Sequence, residues 1–253
     1  MAAETGSSTL AHAIDILDHL SAEGGFVALG RIAAAVGLAP SVVHRLLTTL
    51  RARGLVLQDP RSRQYALGPK LLAYANRVVA AAPFGEAVEP VLAGLRDLTG
   101  ETATLHLPQG AVRVCVLEAE SRQEIRRSVG VGRQVPLYAG ASGRAILAFM
   151  PEADQRRILA ALPDERRPVV SALLERTRAE GYAVSHAEST ANVAAMAAPL
   201  FDRQTGAILG SISLSGPLYR WHDETMRPFV QGLLAAAREV EGLLSASAPD
   251  VVG

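Results

Sequence analysis

Residues 28–68 run ALGRIAAAVGLAPSVVHRLLTTLRARGLVLQDPRSRQYALG, and this stretch decides the architecture of the N-terminal part. Leu29, Ile32, Ala33 and Val36 recur at helical spacing, and Gly37-Leu38-Ala39 interrupts them. Pro40 opens a second helix, where its missing N–H costs nothing. In that helix Val43, Leu46, Leu47 and Leu50 share one face. Burying this face directs Val42, Arg45 and Thr49 outward, with Ser41, His44 and Thr48 on the flanks. Small polar residues around one arginine suit a DNA major groove. The small side chains let the backbone approach, and an arginine pairs two acceptors of guanine or grips phosphate. Two short apolar runs follow, Leu55–Leu57 and Tyr65–Leu67, separated by Asp59-Pro60-Arg61-Ser62-Arg63. That pattern predicts a hairpin, with Arg61 and Arg63 at its tip where a wing would lie on phosphates.

Upstream, Leu10, Ala13, Ile14, Leu17 and Leu20 form one helical stripe, broken at Glu23-Gly24-Gly25; residues 1–8 read as disordered. The formal net charge of the chain is zero, but it is unevenly spread. Between Gly25 and Lys70 stand seven basic residues (Arg31, Arg45, Arg51, Arg53, Arg61, Arg63, Lys70) against Asp59 alone, a net +6 that the rest of the chain offsets with −6. A basic module joined to a mildly acidic one implies that only the first part meets nucleic acid.

After Gly68, PKLLAYANRVVAAA reads as a connecting helix that begins at Pro69 and ends before Pro83. Leu71, Leu72, Tyr74, Val78 and Val79 would pair with a twin helix in a dimer or pack on their own domain; the sequence leaves both open. From Gly85 the pattern turns to mixed helix and strand. Val88, Val91, Leu92, Leu95 and Leu98 make an amphipathic helix, and ETATLHL and AVRVCVLE form a hairpin across Pro108-Gln109-Gly110. EIRRSV is a candidate third strand, and VGVGRQVPLYAGA a glycine-rich crossing loop. Helices follow at SGRAILAFM, after Pro151, and at PVVSALLERTRAEGY, where Gly181 supplies the C-cap. Strands are expected around YAVSH, NVAAMAAPL and AILGSISLS, then a closing helix from Thr225 to Ser245. The expected domains are residues 1–68, a linker helix 69–82, and 83–253.

The chain has no run of about 18 apolar residues, so no membrane span is expected. MAAETGSST lacks the pattern of a signal peptide, and the single cysteine, Cys115, sits in an alternating strand. A lone core cysteine fits a reducing cytoplasm, the expected location. The loop-to-helix junction Tyr138-Ala139-Gly140-Ala141-Ser142-Gly143-Arg144 is the best ligand-site candidate, because small residues there expose backbone amides to a carboxylate or another electron-rich oxygen. Ser211, Ser213 and Ser215 alternate along a strand, so all three face one side with Ile212 and Leu214 on the other. Buried hydroxyls need partners, which a ligand or trapped water would supply.

GLAPSVVHRLLTTLRARGLVLQDPRSRQYALGPKLL resembles the DNA-binding half of IclR-type bacterial transcription regulators. VGRQVPLYAGASGRAILAF, GYAV and AAPLFDRQTGAILGSISLSGP resemble the effector half in family order, so the likeness spans about Leu10 to Leu244. It implies an α+β fold: a winged helix-turn-helix, a connecting helix and a GAF-like α/β effector-binding domain. It also implies dimers that pair into tetramers, and an effector pocket at the backbone of Ala141 and Ser142 with Ser185, Ala195, Ser213 and Ser215. Tyr138 and Arg144 stand where the family often has His and Lys. Ser185 and Ala195 replace a frequent acid and a frequent cysteine. The pocket is therefore expected to be roomier and less acidic than one for a small keto acid, with Ile125, Val129 and Val135 as apolar walls.

The expected partners are operator DNA and a neutral or anionic organic effector (acid, amide or related acyl compound), with no cofactor and no metal. The expected assembly is a homodimer or homotetramer, since one head makes too few base contacts for useful specificity. Two alternatives stay open: a C-terminal half that only oligomerises, and a small-molecule hydrolase. Against catalysis, Ser142 lies in G-A-S-G rather than a G-x-S-x-G elbow, and the six histidines show no metal-ligand spacing.

Overall fold

The computed structural model describes residues 8–74 and 85–246, in two compact units that divide at residues 81 and 82. In the first unit, α1 (Ser8–Glu23), α2 (Leu29–Val36) and α3 (Pro40–Ala52) precede a two-stranded antiparallel hairpin, β1 (Val56–Gln58) and β2 (Tyr65–Leu67). Gly37 ends α2 in the left-handed region at φ 66°, where a side chain is strained, and donates its N–H to Ala33 O. The break lets α3 leave at 109° to α2, the helix-turn-helix geometry. Val27 adds a bridge outside the hairpin, exchanging two 2.8 Å hydrogen bonds with Tyr65.

The core of this unit is Ile16, Leu20, Val27, Ile32, Val43, Leu47, Val56 and Tyr65. The stripe expected along α1 is corrected here: Ile16 and Leu20 are buried, whereas Leu10 and Ile14 are exposed. Leu10 lies in the first turn of α1, and Ile14 sits off the face that carries Ile16 and Leu20. After β2, residues 70–74 are helical. Val78, Val79 and the expected helix end lie outside the described residues, as do residues 1–7. Leu72 and Tyr74 are exposed.

The second unit is an antiparallel six-stranded sheet in the order β5-β4-β3-β8-β7-β6. Its strands are β3 (Thr102–Gln109), β4 (Val112–Ala119), β5 (Gln134–Pro136), β6 (Ala183–His186), β7 (Val193–Phe201) and β8 (Ile208–Pro217). Helices α4 (Gly85–Thr99) and α9 (Val230–Ala246) cover one face, burying Val88, Leu92, Leu233 and Val240 against Met196, Ile212 and Leu214. On the other face lie α5 (Ala141–Leu147), α6 (Glu152–Ala160) and α7 (Arg167–Glu180), closed by Gly181. Together these elements make the α+β fold. Among the described residues, no single helix is long and apolar enough to cross a membrane.

Three local expectations are corrected. Pro108 and Gln109 pair within β3, so the hairpin turns at Gly110 and Ala111. EIRRSV is not a strand; the third strand is β5, inside the glycine-rich stretch. The Glu118 carboxylate accepts the amides of Val129 (2.6 Å) and Gly130 (2.7 Å), so those donors go to a side chain rather than to a ladder. The closing helix is divided into α8 (Asp223–Met226), a 3₁₀ turn at Arg227–Phe229 and α9, because Pro228 has no N–H to continue the first helix.

Leu47 is fully buried at the centre of the first unit. Leu47→Ala is expected to destabilise that unit by about 2–5 kcal/mol. Urea unfolding followed by far-ultraviolet dichroism checks this, and a midpoint equal to wild type contradicts the packing.

Candidate functional site

The first candidate site is the outer face of α3. Ser41, His44, Arg45, Thr48 and Thr49 are exposed opposite the buried Val43, Leu46, Leu47 and Leu50. Val42, expected on the outer face, is half-buried against the core because it lies beside Val43. Thr48 and Thr49 donate their hydroxyls to the carbonyls of His44 (2.8 Å) and Arg45 (3.2 Å), which leaves their oxygens free to accept. Arg45 has no hydrogen-bond or ion-pair partner among the described residues, so its guanidinium is available to bases or phosphates.

The hairpin tip is built by Asp59. Its carboxylate accepts the Ser62 hydroxyl (2.5 Å) and the amides of Ser62 (3.0 Å) and Arg61 (3.2 Å). These bonds, the Ser62 hydroxyl foremost, hold Asp59 below the usual carboxylate range. Arg63 completes the turn at φ 59°. Arg61 and Arg63 are exposed and their side chains form no ion pair among the described residues, as free phosphate contacts require.

The second candidate site is a partly open cavity of about 40 Å³ between β8 and the start of α5. The structure brings Val129, Val135, Ala141, Ser142, Ser185, Ala195, Ser213 and Ser215 together around it. Two nominated residues lie elsewhere. Ile125 is 64% exposed and lines a surface groove, because its segment is a loop rather than the strand expected. Tyr138 turns away, packing on the Leu137–Leu147 cluster under the Arg166 guanidinium. Bulky cationic and aromatic side chains also reach this cavity.

Those side chains are His106 and Arg113, joined at the rim by Arg127, Ser189, Thr190 and Val193. Sequence reading had nominated none of them. The signal was present in one case: Arg113 shares the inward face of β4 with Cys115, and a charge at an inward strand position needs a reason. Cys115 itself is a core residue whose thiol burial pushes up to about 12.

Arg113 is 4% exposed. Its Nη1 donates to the carbonyls of Pro136 (2.9 Å) and Ala139 (2.7 Å), while its Nε has no partner. Burial, reinforced by Arg144, pulls its guanidinium down to about 10, so it remains charged at neutral pH. Arg144, still more buried, pairs with Glu188 and with the carbonyl of Val184. Gly143 permits this crowding: a methyl group there would overlap the Leu137 carbonyl and the Arg113 guanidinium.

His106 Nε2 meets Thr104 Oγ1 at 3.0 Å, and Thr104 Oγ1 meets Ser213 Oγ at 2.8 Å. His106 Nδ1 and Ser215 Oγ are buried without partners. Ser211, on the same face of β8, donates instead to the Ser142 carbonyl at 3.0 Å, tying α5 to the sheet. α5 has only seven residues, so the positive character of the cavity comes from arginines more than from a helix dipole. The segment 187–192 over the cavity is bracketed by Ala187 and Asn192 in the left-handed region. His186 and Asp223 form an exposed pair at 2.9 Å. No group of three or more His, Cys, Asp or Glu among the described residues could hold a metal ion.

A basic winged helix-turn-helix in one chain with an α/β domain that holds a polar cavity defines a two-domain DNA-binding regulator. The chain belongs to the IclR family of bacterial transcriptional regulators. The family's helix-turn-helix domain matches residues 9–60, and the Bacterial transcriptional regulator IclR C-terminal domain matches residues 76–242. It is 33% identical over 243 residues to the HTH-type transcriptional regulator BhcR of Paracoccus denitrificans, covering 93% of this chain and 86% of that one. It is 26% identical to the transcriptional repressor IclR of Escherichia coli, over 92% of this chain and 88% of the relative. The crystal structure of an IclR transcriptional regulator from Alicyclobacillus acidocaldarius superposes with a TM-score of 0.83 at 27% identity, covering 94% of this chain and 99% of that one. The protein is thus a transcription regulator with a DNA-binding helix-turn-helix and a C-terminal effector domain.

His106 carries a pH signature. Burial, then the Arg113 charge, depresses its pKa to about 3, so it is neutral in the folded protein at neutral pH. The unfolded chain binds a proton near pH 6.5 that the folded chain refuses until about pH 3. Stability is therefore full above pH 6.5 and falls as pH drops toward 3. His106→Gln is expected to remove about 1.5–2 kcal/mol of the loss between pH 6.5 and pH 5. Urea titrations read by the single tryptophan, the buried Trp221, measure it; identical slopes in both proteins contradict a neutral His106.

Proposed function

We propose that this chain is a cytoplasmic, ligand-responsive regulator whose cavity takes a small organic acid and thereby alters operator binding. In this reading residues 1–68 bind DNA, 69–82 connect, and 83–253 bind the effector and oligomerise. The single observation that carries it is the set of unpartnered buried polar atoms around one cavity: Arg113 Nε, Ser215 Oγ and His106 Nδ1. Buried polar groups are normally satisfied, and an acyl or carboxylate oxygen would satisfy all three. The Ser213-to-Thr104-to-His106 chain permits the tautomer in which Nδ1 donates into the cavity. Amide and ester effectors are the neutral alternatives, but the cationic lining favours the acid.

On DNA, Arg45 reads bases while Arg61 and Arg63 hold phosphates. Ser41, His44, Thr48 and Thr49 flank Arg45 in the groove, and Val42 contributes its exposed edge. A symmetric dimer on a palindrome supplies the second half-site, and pairs of dimers make a tetramer. Effector binding is coupled to DNA affinity, so each shifts the other by the same factor. Repression and activation are both compatible with this coupling.

Arg45→Ala is expected to weaken binding to the native operator by about 1–3 kcal/mol without altering folding. Fluorescence anisotropy measures this, and unchanged affinity would displace Arg45 from the base contacts. Replacing Arg61 and Arg63 together by Gln is expected to weaken all sequences alike and to reduce the salt slope by about one unit per lost phosphate contact. A slope equal to wild type argues against a phosphate-bound wing. Ser142→Leu is expected to fill the cavity and abolish the effector response while operator binding persists. A thermal-shift screen of aliphatic and aromatic acids, amides and esters finds the effector. Its full action on Ser142→Leu would place the pocket elsewhere.

A further inference from the structure

Two guanidinium groups, those of Arg113 and Arg127, line the cavity, and Arg144 lies close to the first of them. Glu188 pairs with Arg144, which is thereby neutralised. Arg113 is buried and gives its Nη1 bonds to neutral carbonyls. Arg127 stands at the mouth, half-buried, and lines both the cavity and an adjoining surface groove of about 640 Å³ that includes Ile125, Leu218 and Tyr219. Its main chain is fixed by the Thr102 hydroxyl, yet its guanidinium makes no hydrogen bond or ion pair among the described residues.

Two other arginines of this region are committed. Arg126 holds Glu120 at 2.8 Å, and Arg220 holds Glu101 at 2.5 Å and the Ile125 carbonyl at 2.8 Å. Glu118, the carboxylate that acts on Arg127 from nearby, is occupied by two backbone amides, and Arg133 opposes its attraction. A guanidinium does not shed its proton in compensation. Two guanidinium groups therefore line one small cavity, and among the described residues neither is hydrogen-bonded to a carboxylate, so each is free to pair with a ligand anion. A monoanion at the inner end would leave Arg127 unmatched.

Resting on the acid-pocket reading above, we infer that the effector is a short two-headed dianion, a dicarboxylate in chemical class. One head sits at the inner end with Arg113, His106 and Ser215, and the other meets Arg127 at the mouth. Arg127 is then the specificity-determining residue that separates diacids from monoacids. The small cavity limits the spacer to a few carbon atoms.

The test uses the full-length protein and calorimetric titration with malonate, succinate and glutarate, against propionate, butyrate and pentanoate, with inorganic phosphate as a single-headed dianion. At least one diacid is expected to bind about tenfold or more tightly than its monoacid of equal length, the gain of one charge-assisted contact. Arg127→Gln is expected to narrow that ratio to within about threefold, and Arg127→Lys to keep most of it. Monoacids that bind as tightly as diacids, a ratio unmoved by Arg127→Gln, or phosphate outcompeting every diacid each overturn the two-headed inference while leaving the acid pocket standing. If no acid binds the wild type, or Ser142→Leu leaves acid binding intact, the pocket reading fails and this inference with it.

Discussion

Strand β8 has two faces of opposite chemistry, and the effector domain is arranged around that division. Ile212 and Leu214 enter the core against α4 and α9, where burial of apolar surface supplies the main stabilisation. Ser211, Ser213 and Ser215 point the other way, into a region that cannot close as a dry core because each hydroxyl needs a partner. Ser211 finds one in the Ser142 carbonyl and Ser213 finds one in Thr104. Ser215 finds none, and the cavity forms where satisfaction stops. A one-residue slip of β8 would exchange the two faces and remove core and cavity together.

The cavity concentrates positive charge in a domain whose formal charge is negative. Arg113 and Arg144 come from β4 and α5, far apart in sequence, and meet because Gly143 lets α5 approach the chain around Leu137. Glu188 offsets one of them. The remainder is a local positive field inside a mildly acidic body.

The DNA-binding unit solves a different problem with few residues. A short helix, a left-handed glycine and a proline-started helix fix the 109° turn, and one apolar face per helix fixes which residues are left outside. The basic excess in this segment then faces solvent, where it can release counterions from a phosphate backbone. The wing depends on Asp59, whose carboxylate organises the turn that displays Arg61 and Arg63.

Much of this was legible in the chain alone, because its signals are local. Helical spacing in residues 29–50, the Pro40 start, the basic excess and the alternation of Ser211, Ser213 and Ser215 each depend on neighbours a few positions away. The α1 stripe misled at Leu10 and Ile14, since periodicity does not say where a partner helix ends. EIRRSV read as a strand because its composition permits one. Only the tertiary structure brought Glu118 to the amides of Val129 and Gly130 and took them from a ladder. Likewise the sequence nominated Ala141, Ser142, Ser185, Ser213 and Ser215 for the cavity but was silent on His106, Arg113 and Arg127. Local pattern determined the elements and their faces. The charge and size of the cavity were decided by long-range packing, because they depend on which side chains from distant strands and loops are brought to face the same few cubic ångströms.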